Sequence, residues 1–113
     1  MPQYLIFYAR RPTFHASGEF GTPRLTITTL QASHAHLCVV QAGSLDDAFR
    51  RMQGEHWSPH GEARPLLESL SLGHTSMSVG DVIQDEDGAY WECLERGWRR
   101  IEDDPQGGDH GQA

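Results

Sequence analysis

The last third of this chain consists of three short apolar segments separated by two tight turns. Val79-Gly80-Asp81-Val82-Ile83 leads into Asp85-Glu86-Asp87-Gly88. Ala89-Tyr90-Trp91-Glu92-Cys93-Leu94 returns, Glu95-Arg96-Gly97 turns again, and Trp98-Arg99-Arg100-Ile101 closes. Gly88 stands where a tight hairpin turn needs a positive φ. This spacing predicts an antiparallel three-strand meander near 79–101. Upstream, the aromatic run Tyr4-Leu5-Ile6-Phe7-Tyr8 reads as a strand near 4–9. Leu25, Ile27 and Thr29 alternate on one face of a second strand near 24–31, and a third, largely buried, spans 36–42. The clearest helix lies at 44–53. Ser44 is its N-cap, with Asp47 three residues on as a short form of the capping box. Asp46 and Asp47 suit the positive end of the helix dipole. Leu45, Ala48, Phe49 and Met52 form one apolar stripe, and Gly54 is a fitting stop. A short helical turn over 65–70 would place Pro65 at its first position. The expected fold class is α+β: a small antiparallel sheet with one main helix and a C-terminal three-strand meander.

A length of 113 residues allows one domain, expected over 1–102. Residues 103–113 are Gly-rich, carry Asp103, Asp104 and Asp109, and lack large apolar residues, so a disordered acidic tail is expected there. No apolar run approaches the length of a membrane span, and the opening Met1-Pro2-Gln3 lacks the basic start of a signal peptide. Two cysteines are too few for a disulfide framework. A cytoplasmic protein with reduced thiols is therefore expected.

The formal charge is −7, and all of it belongs to the last third. Residues 1–80 balance six acids against six Arg, whereas residues 81–113 hold ten acids against three Arg. Removing the tail leaves the meander at −4, seven acids against three Arg. This excess argues against strong direct nucleic-acid binding, which needs a positive surface. All nine basic residues are Arg. The absence of Lys excludes Schiff-base chemistry, a P-loop lysine and a kinase-type lysine.

Residues His74-Thr75-Ser76-Met77-Ser78-Val79-Gly80-Asp81-Val82-Ile83, then the Gly88 turn, Tyr90, Cys93 and Gly97-Trp98, carry a resemblance. They resemble a pattern of small proteins of conjugative plasmids, integrative elements and phages, of which the YodL-like group is the nearest. Those proteins also carry an acidic-start helix like Leu45-Asp46-Asp47-Ala48-Phe49, which extends the likeness to 36–101. An Arg is common there before the first Ser. His74 can replace a charge contact of that Arg only when protonated. The resemblance implies a bacterial mobile genetic element as context. Small proteins of such elements commonly bind a host or element-encoded protein, restriction and CRISPR machinery included.

Chemical sites have weaker signals. His34 and His36 at i and i+2 of a strand, or His56 and His60, would compose a zinc site with Cys38 or Cys93. Their spacing lacks a metal-site signature, and Pro59 opposes a helix between His56 and His60, so no metal and no cofactor are expected. Cys38 and Cys93 sit among apolar residues and read as inert core thiols. His74, Ser76, Ser78, Gly80 and Asp81 read as local turn chemistry that positions the following strand, in preference to a hydroxyl-lined binding edge. Tyr90 and Trp98 read as core, and Trp91 as a partly exposed interface anchor.

The expected function is a non-enzymatic, protein-binding accessory protein of a mobile element, with an anti-CRISPR or antirestriction inhibitor as its specific form. Asp85, Glu86, Asp87, Trp91, Glu92 and Glu95 would form an acidic contact surface opposing a basic channel of a nuclease complex. Two alternatives are a nucleic-acid-associated regulatory domain using Arg10, Arg11 and Arg24, and a small metal-dependent or thiol enzyme.

Overall fold

The computed structural model describes residues 1–11, 13–53 and 63–102. Its elements run β1 (Gln3–Ala9), α1 (Ile27–Ser33), β2 (His34–Gln41), α2 (Leu45–Arg51), α3 (Ala63–Ser69), β3 (Val82–Gln84), β4 (Tyr90–Cys93) and β5 (Trp98–Arg100). The five strands make one sheet in the order β2-β1-β3-β4-β5, antiparallel throughout. The fold is α+β. The expected meander is β3–β5, joined to β1 by the pairs Leu5 with Gln84, Ile6 with Ile83 and Phe7 with Val82. No described helix is long and apolar enough to cross a membrane.

The run Tyr4–Tyr8 is apolar at every position because helices cover both faces of the sheet. Tyr4, Ile6 and Tyr8 join Leu37, Ile83 and Cys93 beneath Ala48 of α2 and Ala63 and Leu67 of α3. Phe7, Val82 and Tyr90 face the other way, against Ile27 and Leu30 of α1 and against Ile101. Val82 and Ile83 are both fully buried, one on each face.

Residues 27–33 are a helix, which corrects the strand expected over 24–31. Its start is a reciprocal cap. Thr29 N donates to Thr26 Oγ1 at 3.2 Å, and Thr26 N donates to Thr29 Oγ1 at 2.9 Å. Thr at the third position replaces the usual Glu or Gln. The alternation of Leu25, Ile27 and Thr29 mimics a strand, but the contacts that decide are Ile27 and Leu30, three apart on one helical face.

The helix expected at 44–53 is α2, with Ser44 as its N-cap: Ser44 Oγ accepts from Asp47 N at 3.0 Å, but Asp47 Oδ2 accepts from Gly43 N at 2.8 Å in place of the Ser44 N–H of the expected capping box. Among the described residues it is one of three helices of seven residues, not a single main helix. In α3, which starts at Ala63, Pro65 falls in the first turn, where its missing N–H is harmless. The expected stop at Gly54 and the expected tail at 103–113 lie outside the described residues.

Candidate functional site

The segment between β1 and α1 is the most unusual part of the molecule. It carries two left-handed residues that are not glycine, Phe14 at φ 63° and Phe20 at φ 55°. An aromatic side chain rarely takes this backbone conformation, and the strain persists only where the surroundings enforce it. Both rings face outward, Phe20 at 84% exposure and Phe14 at 59%.

Ser17 is what anchors the loop. Its N–H donates to Glu92 Oε2 at 2.8 Å and its hydroxyl donates to Glu92 Oε1 at 2.9 Å. The same hydroxyl accepts from Leu25 N at 2.8 Å, tying the end of the loop back to Ser17. Arg99 Nη2 donates to the Ser17 carbonyl at 2.6 Å and to Glu92 Oε1 at 2.8 Å. Glu92 is 1% exposed. Its burial removes it from the expected acidic surface: on β4 its side chain points beneath the loop, and the charge is matched by Arg99.

The rest of that acidic set is divided. Asp85 builds the hairpin turn, accepting from Asp87 N at 2.9 Å, Ala89 N at 3.0 Å and Trp91 Nε1 at 2.9 Å. Partial burial opposes its charge, but the Trp91 and backbone bonds with nearby Arg100 outweigh that and hold the carboxyl below its ordinary range. Glu86 accepts from Gln3 N at 2.8 Å. Trp91 is half-buried with its N–H bound to Asp85. Asp87 and Glu95 are exposed in the two turns of the meander.

The His74–Asp81 motif is internal. Asp81, 1% exposed, accepts from Ala9 N at 2.8 Å, Ser78 N at 2.8 Å and His74 Nε2 at 2.9 Å. It therefore ties the end of β1 to the turn before β3. The His74 ring stacks on Tyr8 with centroids 4.4 Å apart, and Phe14 stands edge-on to it at 6.2 Å. The Ser78 hydroxyl donates to the Ser76 carbonyl at 3.1 Å. Gly80 has φ 97°, and a Cβ there would lie 3.2 Å from the His15 carbonyl oxygen. Gly80→Ala is expected to cost about 1–3 kcal/mol through backbone strain, with the loop pushed outward. A thermal melt reads the loss, and hydrogen exchange at Ser17 and Leu25 reads the loop.

Between the loop, the end of β1 and the end of α1 lies a cavity of about 470 Å³. Arg10, Arg11, His15, Leu25, His34 and Gly80 are among its walls. His34 does not sit free for a metal: its Nε2 donates to the Gly80 carbonyl at 2.7 Å, and Nδ1 meets Ser33 Oγ at 2.8 Å. His36 packs against Phe7 at 5.2 Å. Among the described residues no three liganding side chains converge, and His56 and His60 lie outside them. Burial pushes the Cys38 thiol up to about 11 and the Cys93 thiol to about 12, so both stay protonated near neutrality.

Burial also lowers the pKa of His34, against the opposing pull of its Gly80 bond and the carboxylates Asp81 and Glu92. Below its ordinary pKa the unfolded chain protonates His34 while the buried ring resists. The unfolded state then holds more protons, and stability falls as pH drops from about 7 towards 5. Urea midpoints across that window are expected to fall, and His34→Gln is expected to flatten the fall.

Sequence reasoning missed the cavity and the Ser17–Glu92–Arg99 anchor. Its only signal was a Gly- and Pro-punctuated segment that nonetheless carries two Phe. Arg10 and Arg11, the residues of the nucleic-acid-associated alternative, line the cavity. Arg24 packs its side chain beside Gly18 in the loop. Compared with protein-family models, with curated proteins and with solved structures, the chain matches none of them.

Proposed function

We propose that this chain is a non-enzymatic protein-binding module whose contact surface is the 13–25 loop. The observation that carries this reading is the exposed, left-handed Phe14 and Phe20 on a loop anchored to a buried carboxylate. A preset loop loses little freedom on binding, and solvent-facing aromatics supply the apolar area that anchors interfaces. The protonated core thiols favour a binding role over thiol catalysis. The likeness of 36–101 to small mobile-element proteins supports the context: an accessory protein acting on a host or element-encoded protein, with inhibition of a restriction or CRISPR nuclease complex as the specific form. The contact surface is placed on the loop instead of the acidic meander, because Glu92, Asp85 and Glu86 are already engaged within the fold.

The test compares wild type with Phe14→Ala/Phe20→Ala as immobilised baits in bacterial lysate, read by quantitative mass spectrometry. Proteins held by wild type and lost from the variant, at equal thermal stability, are expected. Equal capture by both baits would place the contact elsewhere.

A further inference from the structure

We propose that the cavity behind the loop receives an acidic side chain of the partner, an Asp or Glu next to an apolar residue. This deepens the protein-binding reading and rests on it. Arg10 and Arg11 line the cavity, are exposed, and make no ion pair with any described residue. The one carboxylate in the walls, Glu92, is 1% exposed and already matched by Arg99. The Ser33 carbonyl at the end of α1, which would repel an anion, accepts from Arg10 N at 2.9 Å. Two arginines therefore line the cavity without an ion-pair partner, and guanidinium pairs with carboxylate through parallel charge-assisted bonds.

Ala9, Pro23, Leu25, Ala32 and Val79 supply the apolar part of the walls, and uncharged hydroxyl and imidazole groups, Thr13 and His34 among them, line the rest. Phe20 stands edge-on to His15, itself a wall residue, at 5.0 Å. The cavity is large enough for two side chains, one charged towards the Arg pair and one apolar against these walls. A nucleic-acid strand fits less well. It needs a positive track for successive phosphates, whereas this face offers Arg10, Arg11 and Arg24 on a chain of charge −7.

The test is a ¹⁵N NMR titration of the full chain with two capped dipeptides, acetyl-Glu-Leu-amide and acetyl-Gln-Leu-amide. The Glu peptide is expected to shift the amides of Arg10, Arg11, Ser33 and Gly80. The Gln peptide is expected to bind about tenfold more weakly or worse, and Arg10→Gln/Arg11→Gln to abolish the difference. Equal shifts from both peptides, or none from either, would overturn the proposal. So would tighter binding of oligothymidylate at these amides. Shifts there on simple dilution would assign the cavity to a second copy. Shifts caused by Asp103→Asn/Asp104→Asn/Asp109→Asn alone would assign it to the chain's own C-terminus. Lysate capture separates this inference from its premise. If Arg10→Gln/Arg11→Gln keeps the partners that Phe14→Ala/Phe20→Ala loses, protein binding stands and the acidic-residue inference falls.

Discussion

Asp81→Asn is expected to lower stability by about 3–5 kcal/mol, from weakened bonds to a buried carboxylate and at least one buried donor left without an acceptor. The side chain keeps its shape but loses an acceptor. Oδ1 accepts from Ala9 N, and Oδ2 accepts from both Ser78 N and His74 Nε2. An amide turned either way sets its NH₂ against at least one of these donors and leaves that donor unsatisfied in a site 1% exposed. Domains of this size have about 5–15 kcal/mol in total, so the variant is expected to be near the edge of folding. Urea unfolding followed by tryptophan fluorescence reads the midpoint. His74→Gln is the graded comparison. It removes the ring stacked on Tyr8 and disturbs one of the three bonds, so its loss is expected to be smaller. If Asp81→Asn unfolds at the wild-type midpoint, the carboxylate does not hold β1 to the motif.

This role explains why the motif was legible as a structural element and why its geometry was not. Gly80-Asp81 before Val82-Ile83 reads as turn chemistry at the start of a strand, and that is where it stands. That the Asp81 carboxylate would reach Ala9, 72 residues away, has no local trace. The meander was legible because its turns and strands are set by neighbouring residues, Gly88 and Gly97 at positive φ among them. α2 was legible from its cap and its acidic first turn. α1 was misread because a Thr-Thr reciprocal cap looks like a β-branched strand until Leu30 finds Val82 and Ile101 across the sheet. The burial of Glu92 within the expected acidic set was illegible for the same reason. A count of carboxylates along the meander does not tell which of them faces a hydroxyl and a guanidinium from a distant loop.

Glu92→Gln is expected to act twice, on the fold and on the loop. The carboxylate, 1% exposed, accepts from Ser17 N, Ser17 Oγ and Arg99 Nη2. Removing one partner of a buried pair leaves Arg99 uncompensated and is expected to cost about 3–5 kcal/mol. Arg99 keeps about a quarter of its side-chain surface in solvent, which favours the lower end of that range. The loop is expected to suffer more than the sheet. Phe14 and Phe20 carry left-handed backbone on either side of Ser17, so release of Ser17 is expected to let both relax towards ordinary conformations. Hydrogen exchange is expected to rise at Ser17 and Leu25 before it rises at Ile6 or Ile83 in the sheet. Ser17→Ala tests the same link with a smaller global cost. It keeps the Glu92–Arg99 pair but removes the oxygen that Leu25 N and Arg99 share, and is expected to cost about 1–3 kcal/mol. Both variants are expected to lose partner capture as Phe14→Ala/Phe20→Ala does, although Glu92→Gln leaves both aromatic rings in the chain. Capture that survives in Ser17→Ala, with the loop amides exchanging freely, would mean that the rings bind without the conformation that displays them. The buried carboxylate would then serve the fold alone.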